Sequence, residues 1–305
     1  MTRGISSPHR AKNSDCGERE VPTIGMDYCF PEGRGKAQDE EEDAGQPTQT
    51  ILVARESVNG ATLSMQVPKK GASHRGVVRY LAQWIKSLGY PKVVLKGDGE
   101  ASIKQLQDDL REANPTMVTI PENAPTGDSA SNGLAERAIE EVEAYLRSLR
   151  LGMEERIGVK LTATMPIVQW IVRHVGTIIS RVKINPSTGI AVYERLKGKS
   201  SNAIVLPIGE SISYQATVKE RKNKTEARFL EGVYLGVSWR SGEVIVATAD
   251  GHVATSRCIR RRPTEERWSA DANTNIKGTP LGPGGGEVRD REEGKDEVSQ
   301  PVPKV

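Results

Sequence analysis

The chain has 305 residues and a mass of 33.2 kDa, which suits two domains with flanking segments better than one small module. Hydrophobic residues make up 36% and aromatic residues 4%, so part of the length is too polar to join a core. Lys and Arg number 43 against 40 Asp and Glu, a net of +3, so total charge does not by itself argue for nucleic acid and the sign has to be read by region.

Residues 1–20 are polar and basic, without the apolar run of a secretory signal, and read as a disordered leader. Val21–Phe30 has strand character and ends in Asp27-Tyr28-Cys29-Phe30. An acidic run follows at 39–43. Gln49–Arg55 and Ala61–Val67 flank Asn59-Gly60, a hairpin signal. Ser73 can cap a helix reaching Leu88, with Val77, Val78, Leu81, Trp84, Ile85 and Leu88 on one face. Lys92–Lys96 reads as a short β-branched strand, Glu100–Ala113 as an amphipathic helix, and Met117–Ile120 as another strand. After a loop from Pro121 to Gly133 come helices at about 134–151 and 162–182. The apolar stretch Met165–Val182 contains Arg173, His174 and Arg181, so it reads as a buried helix and not a membrane span.

Beyond Asn185-Pro186 the pattern turns to short strands at 204–208, 211–218, 228–235, 244–248 and 252–259, a small β-barrel or sandwich. Residues 201–262 hold ten bases against six acids. Residues 263–305 hold nine acids against six bases and are Gly/Pro-rich toward the end, which predicts a disordered acidic tail. Cys16, Cys29 and Cys258 are scattered, as are the four histidines; neither a disulfide framework nor a zinc module is expected, and the compartment reads as reducing.

The order β-β-β-α-β-α-β-α-α fits an α/β mixed sheet with helices on both faces. In open α/β sheets the site lies beyond the carboxyl ends of the strands. Asp27 ends the first strand, Asp98 follows Lys92–Lys96, and Glu136 opens the long helix. Three convergent carboxylates repel one another unless divalent cations neutralise them. Mg²⁺ prefers oxygen ligands, and two such ions can clamp the attacking and leaving oxygens of a phosphoryl displacement.

The strongest local signal is Ser131-Asn132-Gly133-Leu134-Ala135-Glu136-Arg137. It resembles the NG-x-x-E-R signature of integrase catalytic cores from copia-type LTR retrotransposons. Met26-Asp27-Tyr28, Val93-Val94-Leu95-Lys96-Gly97-Asp98, Trp170, Asn185-Pro186-Ser187-Thr188 and the run Phe229–Ser238 resemble further parts of that family, over about residues 21–262. The departures are the acidic run at 39–43, and Gly99-Glu100-Ala101 where the family commonly has Asn-Gly-Gly-Glu. No upstream zinc module is seen, and the chain looks like a piece of a polyprotein or a degenerate copy.

The resemblance implies a ribonuclease H-like mixed sheet flanked by helices, followed by a small β-rich domain. The implied divisions are a core over 21–190, a basic β-domain over 201–262 and a tail over 263–305. It implies an integrase-type polynucleotidyl transferase that cleaves and joins DNA strands, with Asp27, Asp98 and Glu136 as catalytic and metal-holding residues and two Mg²⁺ or Mn²⁺ ions. Expected DNA contacts are Asn132, Arg137, Lys219, Arg221, Lys222, Lys224, Arg260, Arg261 and Arg262, through phosphates. Expected partners are element ends and target duplex, with a homo-oligomer when active, no membrane and no small-molecule substrate. The expected location is nuclear, or cytoplasmic before nuclear entry, and not secreted. Two alternatives stay open: a catalytically inactive nucleic-acid-binding remnant, and a ribonuclease H-like nuclease.

Overall fold

The structure is a computed structural model and describes residues 21–31, 49–70, 75–124, 132–185, 188–216, 225 and 227–282. The leader 1–20, the acidic run, the Ser73 cap, Ser131, Pro186-Ser187, Lys219, Arg221, Lys222, Lys224 and residues 283–305 lie outside the described residues.

The first unit runs β1 (Thr23–Cys29), β2 (Thr50–Glu56), β3 (Thr62–Val67), α1 (Arg75–Leu88), β4 (Lys92–Gly97), α2 (Ala101–Ala113), β5 (Val118–Asn123), α3 (Gly133–Ile157) and α4 (Pro166–Arg181). Its sheet has the order β3-β2-β1-β4-β5. The β1-β2-β3 meander is antiparallel, and β4 and β5 run parallel to β1. This is the α/β mixed sheet flanked by helices that was anticipated from the sequence.

Strand alternation sends Ile24, Met26 and Tyr28 to a core with α1 and α2, while Cys29, Ile51 and Val53 pack with α3 and α4 on the other side. The Asn59-Gly60 hairpin forms: Gly60 takes φ +83. The fully buried Glu56 carboxylate accepts the backbone N–H groups of Val58 and Asn59 at 2.5 and 2.8 Å, tying the turn. Both parallel strands and α1 form where the β-branched run and the 3.6-residue stripe place them.

Helix α4 does more than cover a face. Its Ser180 hydroxyl accepts the Thr62 N–H at 3.0 Å and donates to the Thr62 carbonyl at 3.1 Å. Ser64 Oγ donates to the Val172 carbonyl at 2.6 Å and accepts the Gly176 N–H at 3.1 Å. A Cβ at Gly176 would stand 3.0 Å from the Thr62 carbonyl and 3.1 Å from the Ser64 nitrogen. Glycine there lets the helix lie on the backbone of edge strand β3.

A short helix α5 (Val192–Lys197), ended by Gly198 at φ +67, was not foreseen. The second sheet holds β6 (Ser211–Gln215), β7 (Phe229–Val237), β8 (Val244–Thr248), β9 (Val253–Ser256) and β10 (Ile259–Arg261), ordered β10-β6-β7-β8-β9 and antiparallel throughout. The expected strand at 204–208 is absent: Leu206 and Ile208 are buried, but their segment joins no sheet, and Pro207 lacks the N–H a ladder requires. Helix α3 runs to Ile157, six residues past the expected end, and stops at Gly158 with φ +70.

One expectation about organisation needs correction. Residues 263–282 are folded: they form a turn at Thr264–Glu266 and α6 (Ala270–Thr274). Ile276 and Asn273 are buried, and the Gly278 carbonyl accepts the Trp170 indole N–H at 2.8 Å. The segment succeeds by covering an apolar surface that α4 and the second sheet leave open. Across the expected division between 190 and 201 packing is continuous: Ile171, Val175, Val233, Leu235, Ile245 and Ile276 share one core. Among the described residues no helix is long and apolar enough to cross a membrane.

Two measurements test this packing. Gly176→Val should destabilise the protein by about 2 kcal/mol or more, since neither backbone atom it meets can yield. Ending the chain after Arg262 should lower Tm by several degrees, because Ile276 and the Trp170 partner are lost. Thermal melts of both variants check the two expectations.

Candidate functional site

Asp27 lies in β1 opposite Val53 of β2. On the other side of β1, Thr23, Ile24 and Gly25 pair with Val94, Leu95 and Lys96 of β4. Continued two residues, that register brings Asp27 level with Asp98, one residue past the end of β4. The sequence signals at two strand ends are therefore neighbours across one strand spacing, about 4.8 Å of backbone separation.

Local glycines fix Asp98. A Cβ at Gly97 would meet the Ile103 side chain at 2.1 Å, so only glycine allows α2 to pack there. Gly99 takes φ +82 and turns the chain into α2. The Asp98 carboxylate accepts the Glu100 N–H at 3.0 Å, which holds the turn. On the other flank Gly25 gives room for α3: a Cβ there would stand 3.2 Å from Leu134 Cγ and 3.3 Å from the Ala135 nitrogen. The N-cap residue of α3, Asn132, is buried and donates its side-chain N–H to Asp27 at 3.3 Å.

The Asp27 carboxyl is pushed up to about 6, chiefly by burial and further by the negative charges of Asp98 and Glu100; the Tyr28 N–H and the Lys70 ammonium pull it the other way. Two residues of this cluster were not singled out as site residues. Glu100 appeared only as a departure from the family's pattern, and Lys70 carried no signal beyond following a strand. Lys70 pairs with Glu100 at 2.7 Å and lies 5.9 and 5.3 Å from the Tyr28 and Phe30 ring centroids.

Glu136 stands on the first turn of α3 with an exposed side chain. The charges raising Asp27 are Asp98 and Glu100, not Glu136. Among the described residues no three His, Cys, Asp or Glu side chains are close enough to hold a metal ion together. The structure thus brings Asp27 and Asp98 together and leaves Glu136 at the adjoining helix end, outside the pair. The pair still suits a divalent cation: Mg²⁺ is commonly held by one or two carboxylates plus waters, and a cation would relieve the repulsion that raises Asp27. Cys29, two residues on, is pushed up to about 12 by burial and by Glu143 and Asp27, so it is no nucleophile at neutral pH.

The expected DNA contacts divide. Arg137 is exposed and donates to the Gly133 carbonyl at 3.2 Å. Arg260 is exposed and stacks 4.1 Å from the Phe229 ring centroid. Arg261 instead holds the fully buried Glu210 through two bonds of 2.7 Å, and Arg262 pairs with Glu231 and Glu266 at 3.0 and 2.7 Å. These two guanidiniums are engaged within the fold, so the run of three arginines does not present three free charges.

By sequence the chain matches no protein-family profile and no curated protein. Solved structures similar to it include three retroviral assemblies or domains. One is a simian T-cell lymphotropic virus intasome in complex with PP2A regulatory subunit B56 gamma, at 10% identity, TM-score 0.42, and 85% of each chain covered. The second is the catalytic core domain of BIV integrase, at 14% identity and TM-score 0.38, covering 57% of this chain and 92% of that one. The third is the HTLV-2 integrase catalytic core domain in complex with magnesium, in a trimeric form, at 12% identity and TM-score 0.40, covering 58% of this chain and 98% of that one.

Two predictions follow from the charges. Burial pushes the folded Asp27 carboxyl up to about 6, from its ordinary value near 3.8. Folding therefore binds a proton between those values, and this group's contribution to stability is full below about 4 and lost as pH rises through about 6. Without added cations, Asp27→Asn should match the wild type near pH 4 and exceed it by about 1 kcal/mol at pH 8, after allowing for solvent screening. Urea melts at both pH values decide this. Arg261→Ala should cost about 3 kcal/mol, because Glu210 is left buried with, among the described residues, only Arg267 at 3.7 Å as a cationic partner. Arg260→Ala should cost little, and denaturant midpoints of the two variants make the comparison.

Proposed function

We propose that the chain is an integrase-type polynucleotidyl transferase core that cleaves and joins DNA strands with the help of Mg²⁺ or Mn²⁺. The observation that carries this is the matched register of Asp27 and Asp98, two carboxylates at the ends of adjacent parallel strands with a raised pKa on one of them. Phosphodiester displacement needs negative charge neutralised at the attacking and leaving oxygens, and a divalent cation supplies that when bound. Asp27 and Asp98 would hold it. Asn132 orients the Asp27 carboxylate through its N–H, and the Gly97 and Gly99 turn fixes Asp98.

In this reading Glu136 joins when DNA is present, carried by the N-terminal turn of α3, and provides the third carboxylate. Arg137 and Arg260 reach phosphates, together with Lys219, Arg221, Lys222 and Lys224. The copia-type assignment, the homo-oligomer, a second ion and a nuclear location belong to the same proposal. It rests on the sequence motif and on the Asp27–Asp98 geometry.

A second reading has one observation in its favour. Glu136 stands outside the acid pair, and Lys70 already places a cation beside Glu100. A nucleic-acid-binding remnant without catalysis would look the same.

Strand transfer and cleavage on end-labelled duplex DNA in Mg²⁺ or Mn²⁺ separate the two. The wild type should give metal-dependent products, and Asp27→Asn, Asp98→Asn or Glu136→Gln should lower turnover at least about 100-fold while leaving thermal stability near or above normal. Salt-sensitive DNA binding with no product in either metal would select the remnant. Near-normal turnover of Asp98→Asn would remove this site from the chemistry.

A further inference from the structure

A cleft of about 520 Å³ opens between α1, the start of β3, α4 and the turn joining β7 to β8. It lies on the β3 edge, so β2 and β1 separate it from Asp98 in the sheet order. Tyr80, Trp84 and Trp239 form aromatic walls, and Arg173, Lys86 and Arg240 bring positive charge. None of the described residues lining it is acidic.

Several buried donors of the wall-forming side chains are unmet. Arg173 is 8% exposed; its Nε donates to the Tyr80 hydroxyl at 2.7 Å and one terminal nitrogen to the Val237 carbonyl at 3.2 Å, while Nη1 has no hydrogen-bond partner among the described residues. Trp84 and Trp239 each carry a buried indole N–H in the same condition. Arg181, 7% exposed, stands behind the same turn and, among the described residues, bonds only neutral oxygens, those of Ser201, Ser238 and Trp239. Neither guanidinium has a carboxylate within ion-pairing distance among the described residues. Buried arginines are normally paired with anions, and an unmet buried donor costs about 1–3 kcal/mol.

We infer that this cleft is a binding site for a nucleotide unit, a planar base joined to a phosphate. The base would lie against Trp239 and Tyr80, at the edge of the 4%-exposed Trp84, where every nucleobase offers a face for stacking. The phosphate would meet the positive side made by Lys86, Arg240 and the field of Arg173, as an arginine- and lysine-lined wall without acids favours. The volume falls in the usual range for small-ligand sites, about 300–1,000 Å³. A free mononucleotide and the unpaired end of a nucleic-acid strand offer the same chemistry.

The test uses the full chain without divalent cation, and is repeated with Asp98→Asn, so that it stands apart from the proposed strand chemistry. The chain has four tryptophans, whose indole N–H signals can be followed by ¹⁵N NMR during titration with AMP, adenosine, inorganic phosphate and a 5′-phosphorylated trinucleotide. AMP should shift the Trp84 and Trp239 signals saturably at or below millimolar concentration and leave Trp170 and Trp268 in place. Adenosine and phosphate alone should each bind at least about tenfold more weakly. The double variant Lys86→Glu/Arg240→Glu changes two exposed side chains, should melt like the wild type, and should weaken AMP at least about tenfold. Trinucleotide binding tighter than AMP would identify a strand end as the source, and equal or weaker binding a free nucleotide. No saturable shift with either AMP or the trinucleotide, equal affinity for phosphate and AMP, or an unchanged affinity in the charge-reversed variant would each overturn the assignment.

Discussion

An edge strand exposes a row of backbone N–H and C=O groups that must find partners in water, in another strand or in side chains. In this fold the edge of β3 is met by α4, and the contact depends on small residues at helical spacing. Gly176 and Ser180 are four apart and face the same way. The first lets the helix backbone come close, and the second returns two hydrogen bonds to Thr62. Much else depends on this contact. With α4 seated on β3, its other side is free to take the second sheet, and Ile171, Val175, Val233 and Leu235 close into one core. The same helix then places Arg173 and Arg181 so that they bond the carbonyls of Val237, Ser238 and Trp239 at the end of β7. One helix thus sets the position of the basic β-unit relative to the acidic pair.

The acidic end is organised by backbone register instead. Parallel pairing of β1 with β4 fixes which residues of the two strands are level, and a shift of one residue would turn Asp98 to the opposite face. Gly25, Gly97 and Gly99 remove the side chains that would keep α3 and α2 away or block the turn. The result is a carboxylate held at a cost, as the shift of Asp27 to about 6 records. Lys70 offsets part of that repulsion from the Glu100 side.

How much of this was legible depended on whether the determining interaction was local. The hairpin at Asn59-Gly60, the stripe of α1 and the β-branched run before Asp98 are properties of a few consecutive residues, and each forms as read. The pairing of Asp27 with Asp98 was legible as two strand ends in an α/β order, though the sequence holds no direct record of the register. Residues 263–282 were misread because their composition is polar. Their folding comes from a surface far away in the chain, at Trp170 and the second sheet. The arginine run at 260–262 was read as one basic patch, yet Glu210, fifty-one residues from Arg261, claims its centre. Glu136 was readable by motif alone, and its motif says nothing of whether its side chain reaches the acid pair.

The two arginines of α4 show why a helix that is buried on nearly every side still carries charge. Replacing a buried ion pair by apolar groups is often neutral or stabilising, so burial of a guanidinium needs a reason beyond stability. Arg181 stacks on Tyr193 and Trp239 at 4.4 and 5.3 Å from their ring centroids, and Arg173 lies over Tyr80 and Trp170 at 6.0 and 5.5 Å. Each also donates to backbone carbonyls at the end of β7. These bonds are directional where apolar contact is not. They fix the angle at which the β7–β8 turn meets α4, which a slippery Leu or Met contact would leave free. The neighbouring His174 is fully buried and pushed down to about 3, so it stays neutral and adds no competing charge. Arg173, Lys86 and Arg240 then line one cleft between α1, α4 and the β7–β8 turn, with β2 and β1 between it and Asp98 in the sheet order, so an acidic pair and a basic cleft are held apart within one continuous fold.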